Sequence, residues 1–268
     1  MIKILLFGKD GQLGSELQNY LSDAFELISL SRDSYNYCGN LEDTKGLTDS
    51  IKKINPDIVI NAAAYTQVDK AEIEFEKNYK VNHLAPQAIA SELAGTDKLL
   101  IHYSTDYIFN GTGTLPWKEN DNKDPLNEYG KAKLLGETEI KQSLCKYLIL
   151  RPSWVYSSGK NNFLTSIIKL ARERDSLDVI DDQIGVPTSS DFVSAITLKL
   201  IKLYVNDIKS NTMINQCYNI APKGEASWFD IAVEIVKQLK ILKMETKLLS
   251  ENIKRVKTKD YMQSAKRP

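Results

Sequence analysis

The sequence predicts an α/β fold, a doubly wound parallel sheet with a small C-terminal lobe. Two observations predict it. Short apolar runs alternate with helical stretches of roughly 10–20 residues, as in chained βαβ units. The first run, Ile2–Phe7, breaks into a glycine-rich turn at residue 8 and a helical pattern follows.

Ile2–Phe7 is continuously apolar, as a strand buried on both faces of a parallel sheet should be. It ends in Gly8-Lys9-Asp10-Gly11-Gln12-Leu13-Gly14, and the helical pattern runs on to Tyr20. Strand, glycine turn and helix start form the phosphate-binding corner of a Rossmann-like fold. The glycines let the backbone approach a pyrophosphate, and the helix N-terminus supplies oriented N–H groups. The spacing is G-x-x-G-x-x-G rather than G-x-G-x-x-G. Glu26–Leu30 reads as a second strand. Asp43–Ile54 reads as a helix stopping before Pro56, since a residue preceding proline avoids the helical region. Asp57–Ala64 is a third strand whose small residues would let a flat ligand lie close. Lys70–Leu93 reads as one long helix bent near Pro86, and Lys98–Thr105 as a fourth strand. Asn110–Pro125 is a loop, Lys146–Leu150 a fifth strand, and Asn162–Arg174 a helix. Leu177–Ile180 then reads as a strand and Phe192–Tyr204 as a helix. Asp182–Thr188 is turn-rich, Tyr218–Ala221 is a short strand, and Ser227 caps a helix reaching Lys240. Residues 1–155 are thus expected to form an NAD(P)-binding domain, to which residues 176–205 return. Residues 156–268 are expected to be mainly a substrate-binding lobe.

Composition excludes several classes. The 268 residues carry 35 basic and 35 acidic side chains, so nothing attracts nucleic acid or a membrane surface. No apolar run approaches the ~20 residues of a membrane helix. The N-terminal run is short and lacks a small-residue cleavage site, unlike a signal peptide. Cys38, Cys145 and Cys217 are odd in number and widely spaced, so they read as reduced thiols of a cytoplasmic protein.

The chemistry is expected in Leu126–Lys133, where Tyr129 and Lys133 stand four residues apart. On a helix that spacing puts both on one face, with Cβ atoms roughly 5–6 Å apart. A phenol ionises near pH ~10, and an ammonium beside it lowers that value. Such a pair can pass a proton to or from a substrate oxygen. Ser104-Thr105-Asp106-Tyr107 falls where the fourth strand ends, at the ligand edge of such a sheet. His102, on a buried strand, reads as structural, and His83 as a helix-surface residue.

A strand-end hydroxyl, then Tyr-x-x-x-Lys, behind a glycine-rich turn resembles the short-chain dehydrogenase/reductase superfamily. A closer resemblance spans nearly the whole chain. It lies in Phe7–Gly14, Asn61–Glu72, Ser104–Phe109, Tyr129–Lys133, Arg151–Tyr156 and Asp182–Thr188. Together these six motifs resemble the dTDP-4-dehydrorhamnose reductases, which make a donor for cell-surface polysaccharide. The resemblance implies a nucleotide-sugar substrate whose C4 ketone is reduced, with Tyr129, Lys133 and Thr105 catalytic. It implies cofactor contacts from Gly8, Gly11, Gln12, Leu13, Gly14, Ser31, Arg32, Asn40, Leu41, Ala63, Ala64, Tyr65, Thr66 and Tyr103, as well as from Tyr129 and Lys133. Asp106 and Trp154, with Thr105, would contact the sugar.

The second strand ends Leu30-Ser31-Arg32, with no carboxylate at its tip to hold a ribose hydroxyl and a guanidinium that can pair with phosphate. NADPH is therefore expected, with NADH as the alternative because Asp33 follows directly. Two other readings compete. One is another nucleotide-sugar reductase, epimerase or dehydratase; a dehydratase would typically carry Asp-Glu after the threonine, where this chain has Asp106-Tyr107. The other is a non-catalytic regulatory subunit resembling the beta subunit of methionine adenosyltransferase. Members of the family usually continue beyond the Arg267-Pro268 pair. Glu16 stands where the first-helix acid of a magnesium-linked dimer would be, while its partners would lie further on. No metal is expected, nor any nucleic-acid or membrane partner, and the chain is expected to be a monomer or weak homodimer. Lys266 and Arg267 are expected to be displaced substrate contacts.

Overall fold

The computed structural model describes residues 1–206, 214–261 and 263–268. The chain starts with β1 (Lys3–Phe7), α1 (Gln12–Leu21), β2 (Glu26–Leu30), α2 (Thr44–Ile54) and β3 (Ile58–Asn61). Two short helices, α3 (Val68–Ala71) and α4 (Phe75–Tyr79), lead through a π turn at Lys80–Leu84 into α5 (Ala85–Leu93). Then come β4 (Leu99–Tyr103), α6 (Glu128–Gln142) and β5 (Lys146–Pro152). A second unit takes over with β6 (Val155–Tyr156), α7 (Phe163–Glu173), β7 (Leu177–Ile180), β8 (Ile184–Gly185) and β9 (Thr188–Ser189). The chain returns to the first unit for α8 (Ser190–Asn206) and β10 (Gln216–Ile220). It passes back to the second for β11 (Ala226–Ser227), α9 (Trp228–Ile241) and β12 (Ile253–Val256), and Ser264–Pro268 rejoins the first.

The first unit is built on one six-stranded parallel sheet in the order β10-β5-β4-β3-β1-β2. Strand alternation divides its core. Ile4, Leu6, Ile58, Ile60, Leu99, Ile101 and Tyr103 face one side, where they pack with Leu13, Leu17 and Leu21 of α1 and Val193 and Ile201 of α8. Leu5, Phe7, Val59, Leu100 and Ile149 face the other, against Leu47 and Ile51 of α2 and Ile89 of α5. The strand order reverses between β1 and β3, which opens a crevice at the carboxyl ends there. The second unit has its own core, where Ile167 and Ala171 of α7 meet Ala232, Val236 and Leu239 of α9. Its strands pair two by two: β7 with β12, β8 with β11, and β6 with β9.

Three local expectations are corrected. The stretch Lys70–Leu93 is not one helix bent at Pro86; it breaks after α3 and widens into the π turn before the proline. Proline offers no N–H to the carbonyl four residues back, here Asn82, so the α-helical ladder is interrupted at that point. His83 is not on the surface. It is 5% exposed, edge-on to the Tyr79 ring at 4.4 Å, with Nε2 3.4 Å from the Glu139 carboxylate. The third strand is shorter than expected, ending at Asn61 and leaving Ala62–Gln67 as an open segment at its carboxyl end.

Candidate active site

The glycine turn follows β1 directly. Gly8 has φ +90°, and a Cβ there would lie 2.7 Å from the Ala63 nitrogen. A Cβ on Gly14 would lie 2.0 Å from the Gly8 carbonyl oxygen. Gly11 caps α1 with no side chain to take a backbone N–H, and Gln18 ties the turn by donating to the Lys9 carbonyl at 3.0 Å. A helix start leaves its first N–H groups without intrahelical partners. The turn therefore leads a close-approaching backbone into the positive end of a ten-residue helix, which fits a pyrophosphate.

The segment after β3 is clamped from behind. The Asn82 side chain accepts from the Tyr65 N–H at 3.1 Å and donates to the Tyr65 carbonyl at 2.8 Å. Asn82 also donates to the Asn78 side chain at 2.7 Å, and Asn78 donates to the Glu128 carbonyl at 2.8 Å. Ala63 and Ala64 are half-buried and Thr66 is exposed. At the tip of β2, Ser31 is held by Ser34, and the Arg32 guanidinium is 60% exposed, 3.8 Å from Glu42. The Asn40 side chain accepts from the Glu42 N–H, and Leu41 is buried.

Tyr129 and Lys133 sit in the first two turns of α6. Asn127 caps that helix through the Gly130 N–H at 2.8 Å. Gly130 lets the helix press onto the 3-10 turn Asp106–Ile108 that follows β4, because a Cβ there would lie 2.3 Å from the Tyr107 carbonyl oxygen. Tyr129 is 8% exposed, and the Tyr107 ring meets it edge-on at 5.7 Å. Burial pushes its phenol up to about 12. The nearby Thr105 hydroxyl pulls it down, and the Asp106 charge adds to the rise. Thr105 itself accepts from the Tyr107 N–H at 3.2 Å and donates to Asp106 at 3.1 Å.

Lys133 departs from expectation. Its ammonium reaches away along β4, donating to the Tyr103 carbonyl at 2.5 Å and lying 3.3 Å from His102 Nε2. It is 1% exposed, and burial pushes it down to about 8 while Glu137 opposes the fall. It is not among the groups that move the Tyr129 phenol. Tyr103 is also placed differently. Strand alternation turns its ring to the α8 face, where its hydroxyl meets Thr197 at 2.6 Å. What Tyr103 gives this side of the sheet is its carbonyl.

Beneath the pair lies a group that periodicity did not reveal. Glu137 and Arg151, 0% and 2% exposed, make two hydrogen bonds of 2.8 and 2.6 Å. Arg151 also donates to the Glu119 carbonyl at 3.1 Å. Burial alone would raise the Glu137 carboxyl, but Arg151 holds it below its ordinary range. Arg267, expected as a displaced substrate contact, is paired with Asp69. Its guanidinium takes both oxygens of Asp69, which also accepts from the Ser264 and Ala265 N–H groups. The Lys266 carbonyl accepts from Asn127 at 2.7 Å. Trp154 belongs to the second unit, stacked on Trp228 at 3.6 Å and held at φ +43°. Asn127, a helix-capping type directly before the helix, is the one overlooked residue with a local sequence signal.

The family model described as "RmlD substrate binding domain" matches residues 2–268. The chain is 39% identical over 267 residues to the dTDP-4-dehydrorhamnose reductase of Salmonella typhimurium, covering 100% of this chain and 87% of that protein. It is 38% identical over 267 residues to its counterpart of the same name in Escherichia coli, with the same coverage. Among solved structures, a dTDP-4-dehydrorhamnose reductase from Bacillus anthracis in complex with NADP gives a TM-score of 0.87 at 30% identity. That comparison covers 100% of this chain and 89% of that one.

Proposed function

The chain belongs to the RmlD family of dTDP-4-dehydrorhamnose reductases, and we propose that its Tyr129, Thr105 and Lys133 carry out the reduction of dTDP-4-dehydro-L-rhamnose to dTDP-L-rhamnose. One observation carries the reading. The buried phenol, the strand-end hydroxyl and the buried ammonium converge at the carboxyl end of β4, on the same sheet as the glycine cradle.

When bound, NADPH supplies the hydride that reduces C4. Gly8, Gly11, Gln12, Leu13 and Gly14 would hold its pyrophosphate. Ala63, Ala64, Tyr65 and Thr66 would line it, and Ser31, Arg32, Asn40 and Leu41 would take its adenine ribose. As the ketone oxygen gains charge, Tyr129 hands it a proton. With its pKa raised to about 12 the phenol is fully protonated at neutral pH, yet still acidic enough for a developing alkoxide. Thr105 turns its single proton from Asp106 to the same oxygen, giving a second donor where charge develops. The Lys133 ammonium, held on the Tyr103 carbonyl, would hydrogen-bond the nicotinamide ribose rather than tune the phenol. Trp154 is carried as the sugar's aromatic contact by family resemblance. The same reading takes the protein as a cytoplasmic monomer or weak homodimer working without a metal.

The cofactor end is tested with Arg32→Ala. Losing a charge-assisted contact to phosphate is worth about 1.5–3 kcal/mol. The KM for NADPH is therefore expected to rise about tenfold or more while that for NADH stays level. Steady-state kinetics with both cofactors checks it; equal changes would remove Arg32 from phosphate recognition.

Lys133 carries the pH dependence. An ammonium titrating near 8 is lost as pH rises through 8, so kcat/KM should fall on that limb. The stability effect has the opposite sign. A lysine held at about 8 against its ordinary 10.5 binds fewer protons folded than unfolded over that window. Its burial thus costs stability below pH 8 and is progressively relieved up to 10.5. Lys133→Met is expected to lose activity about a hundredfold or more without lowering the Tm at pH 7. A large fall in Tm would make the lysine a structural residue.

The substrate is tested by following NADPH oxidation with the dTDP-4-keto sugar beside its UDP and GDP analogues. Preference for dTDP is expected, and oxidation with none of the three would remove the reductase reading.

A further inference from the structure

A chain of three buried polar side chains runs across the sheet behind Tyr129. Asn61, at the end of β3, places Nδ2 3.2 Å from His102 Nδ1. His102, on β4, places Nε2 3.3 Å from Lys133 Nζ. Asn61 and His102 are 1% and 0% exposed, so neither has water to fall back on. Among the described residues Lys133 has one further hydrogen-bond partner, the Tyr103 carbonyl. The reduction as described leaves Asn61 and His102 without a part.

Their hydrogen-bond inventory gives them one. A neutral imidazole has one N–H and one acceptor nitrogen, whereas an ammonium can only donate. The imidazole is neutral here, since burial and the Lys133 charge both depress its protonation. While Lys133 is an ammonium, His102 must accept at Nε2 and carry its proton on Nδ1. Asn61 must then present its oxygen to the ring. When Lys133 is an amine, its lone pair accepts from an Nε2–H, and Nδ1 accepts from the Asn61 amide. That second arrangement satisfies Asn61 fully, because its oxygen accepts from the Ala63 N–H at 3.3 Å. The two arrangements differ by one proton, the third hydrogen of the ammonium, which goes to solvent.

We propose that His102, oriented by Asn61, is a positioning residue that sets the charge of Lys133 through the nitrogen on which it carries its proton. This rests on the reductase reading above. The groups that face Lys133 are few. On α6 they are Tyr129 and Glu137, the latter paired with Arg151 of β5 and with Lys141. On β4 they are His102 and the Tyr103 carbonyl, while β3 brings the uncharged Asn61, through His102. Of these, His102 alone offers an acceptor that can become a donor. The link to the cofactor segment is direct, because the Ala63 N–H that Asn61 holds lies against Gly8.

The test compares pH profiles of kcat/KM for the wild type, His102→Leu and His102→Gln. Leucine removes the acceptor, so the ammonium loses one of its two partners. The basic limb should move to lower pH by about one unit, roughly a tenfold loss on that limb. Glutamine, whose Oε1 can accept where Nε2 does, should restore most of the shift. Superimposable limbs, or equal shifts in both variants, would overturn the proposal. A wild type with no reductase activity would instead strike the reading it rests on. Nitrogen-15 NMR of the wild type needs no variant at the site, since the chain has only two histidines and His83→Asn assigns the other. The His102 ring should pass from Nδ1–H to Nε2–H across the pH range in which kcat/KM falls. One unchanging tautomer across that range would also overturn it.

Discussion

Tyr129→Phe is expected to lower kcat about a thousandfold, within the range a positioned general acid contributes, with little change in the KM for NADPH. The ring stays packed, since the edge-on contact with Tyr107 and the surrounding core need no hydroxyl. What disappears is the one proton donor in the cluster whose position and acidity suit the developing alkoxide. Thr105 remains and would still donate a hydrogen bond, so residual turnover above background is expected. Steady-state kinetics at saturating sugar, with a thermal melt as control, checks it. A variant that melts as the wild type does and turns over within tenfold of it would remove Tyr129 as the proton donor.

The second large effect is on the fold. Glu137→Ala leaves the Arg151 guanidinium, 2% exposed, without its paired carboxylate, with the Glu119 carbonyl and the Phe109 ring face as partners among the described residues. Breaking a buried pair by removing one member costs about 3–5 kcal/mol. The midpoint of denaturant unfolding should fall accordingly. Replacing both partners, Glu137→Leu with Arg151→Met, should recover much of the loss, because two apolar groups leave no uncompensated charge. Glu137 also raises Lys133, so the milder Glu137→Gln should move the basic limb of the pH profile downward. If the single and double variants unfold at the same midpoint, the pair is not what holds α6 to β5.

The parts of this site that were legible in the sequence are the local ones. The glycine turn could be read because a buried run, a glycine and a helix start are adjacent in the chain. Tyr129 and Lys133 could be read because four residues on a helix is a fixed distance. The parallel sheet followed from the apolar runs β1, β3 and β4, which are buried along their length, Lys3 apart. The rest depends on contacts that periodicity does not encode. Lys133 lies on the same helix face as Tyr129, but its long side chain reaches to β4, where the Tyr103 carbonyl holds it. The opposite facings of His102 and Tyr103 follow from strand alternation, yet which face meets α6 is decided by the crossover. Glu137 and Arg151 meet only because α6 packs over β5. The two-residue strands of the second unit carry no period at all. The π turn at Lys80–Leu84 has no sequence signal beyond Pro86, whose effect is a missing donor to Asn82 rather than the bend in one long helix that Lys70–Leu93 suggests.

In the proposed reduction C4 of the sugar takes a hydride and its oxygen takes a proton from Tyr129, one NADPH being consumed for each product. The most direct measurement supplies the dTDP-4-keto sugar with NADPH deuterated on the transferring face of the nicotinamide, and locates the label in the product. One deuterium at C4 for each NADPH consumed is the predicted result. Product carrying no deuterium at C4, or turnover with no net loss of NADPH, would contradict it and point to an epimerase or dehydratase that retains its cofactor.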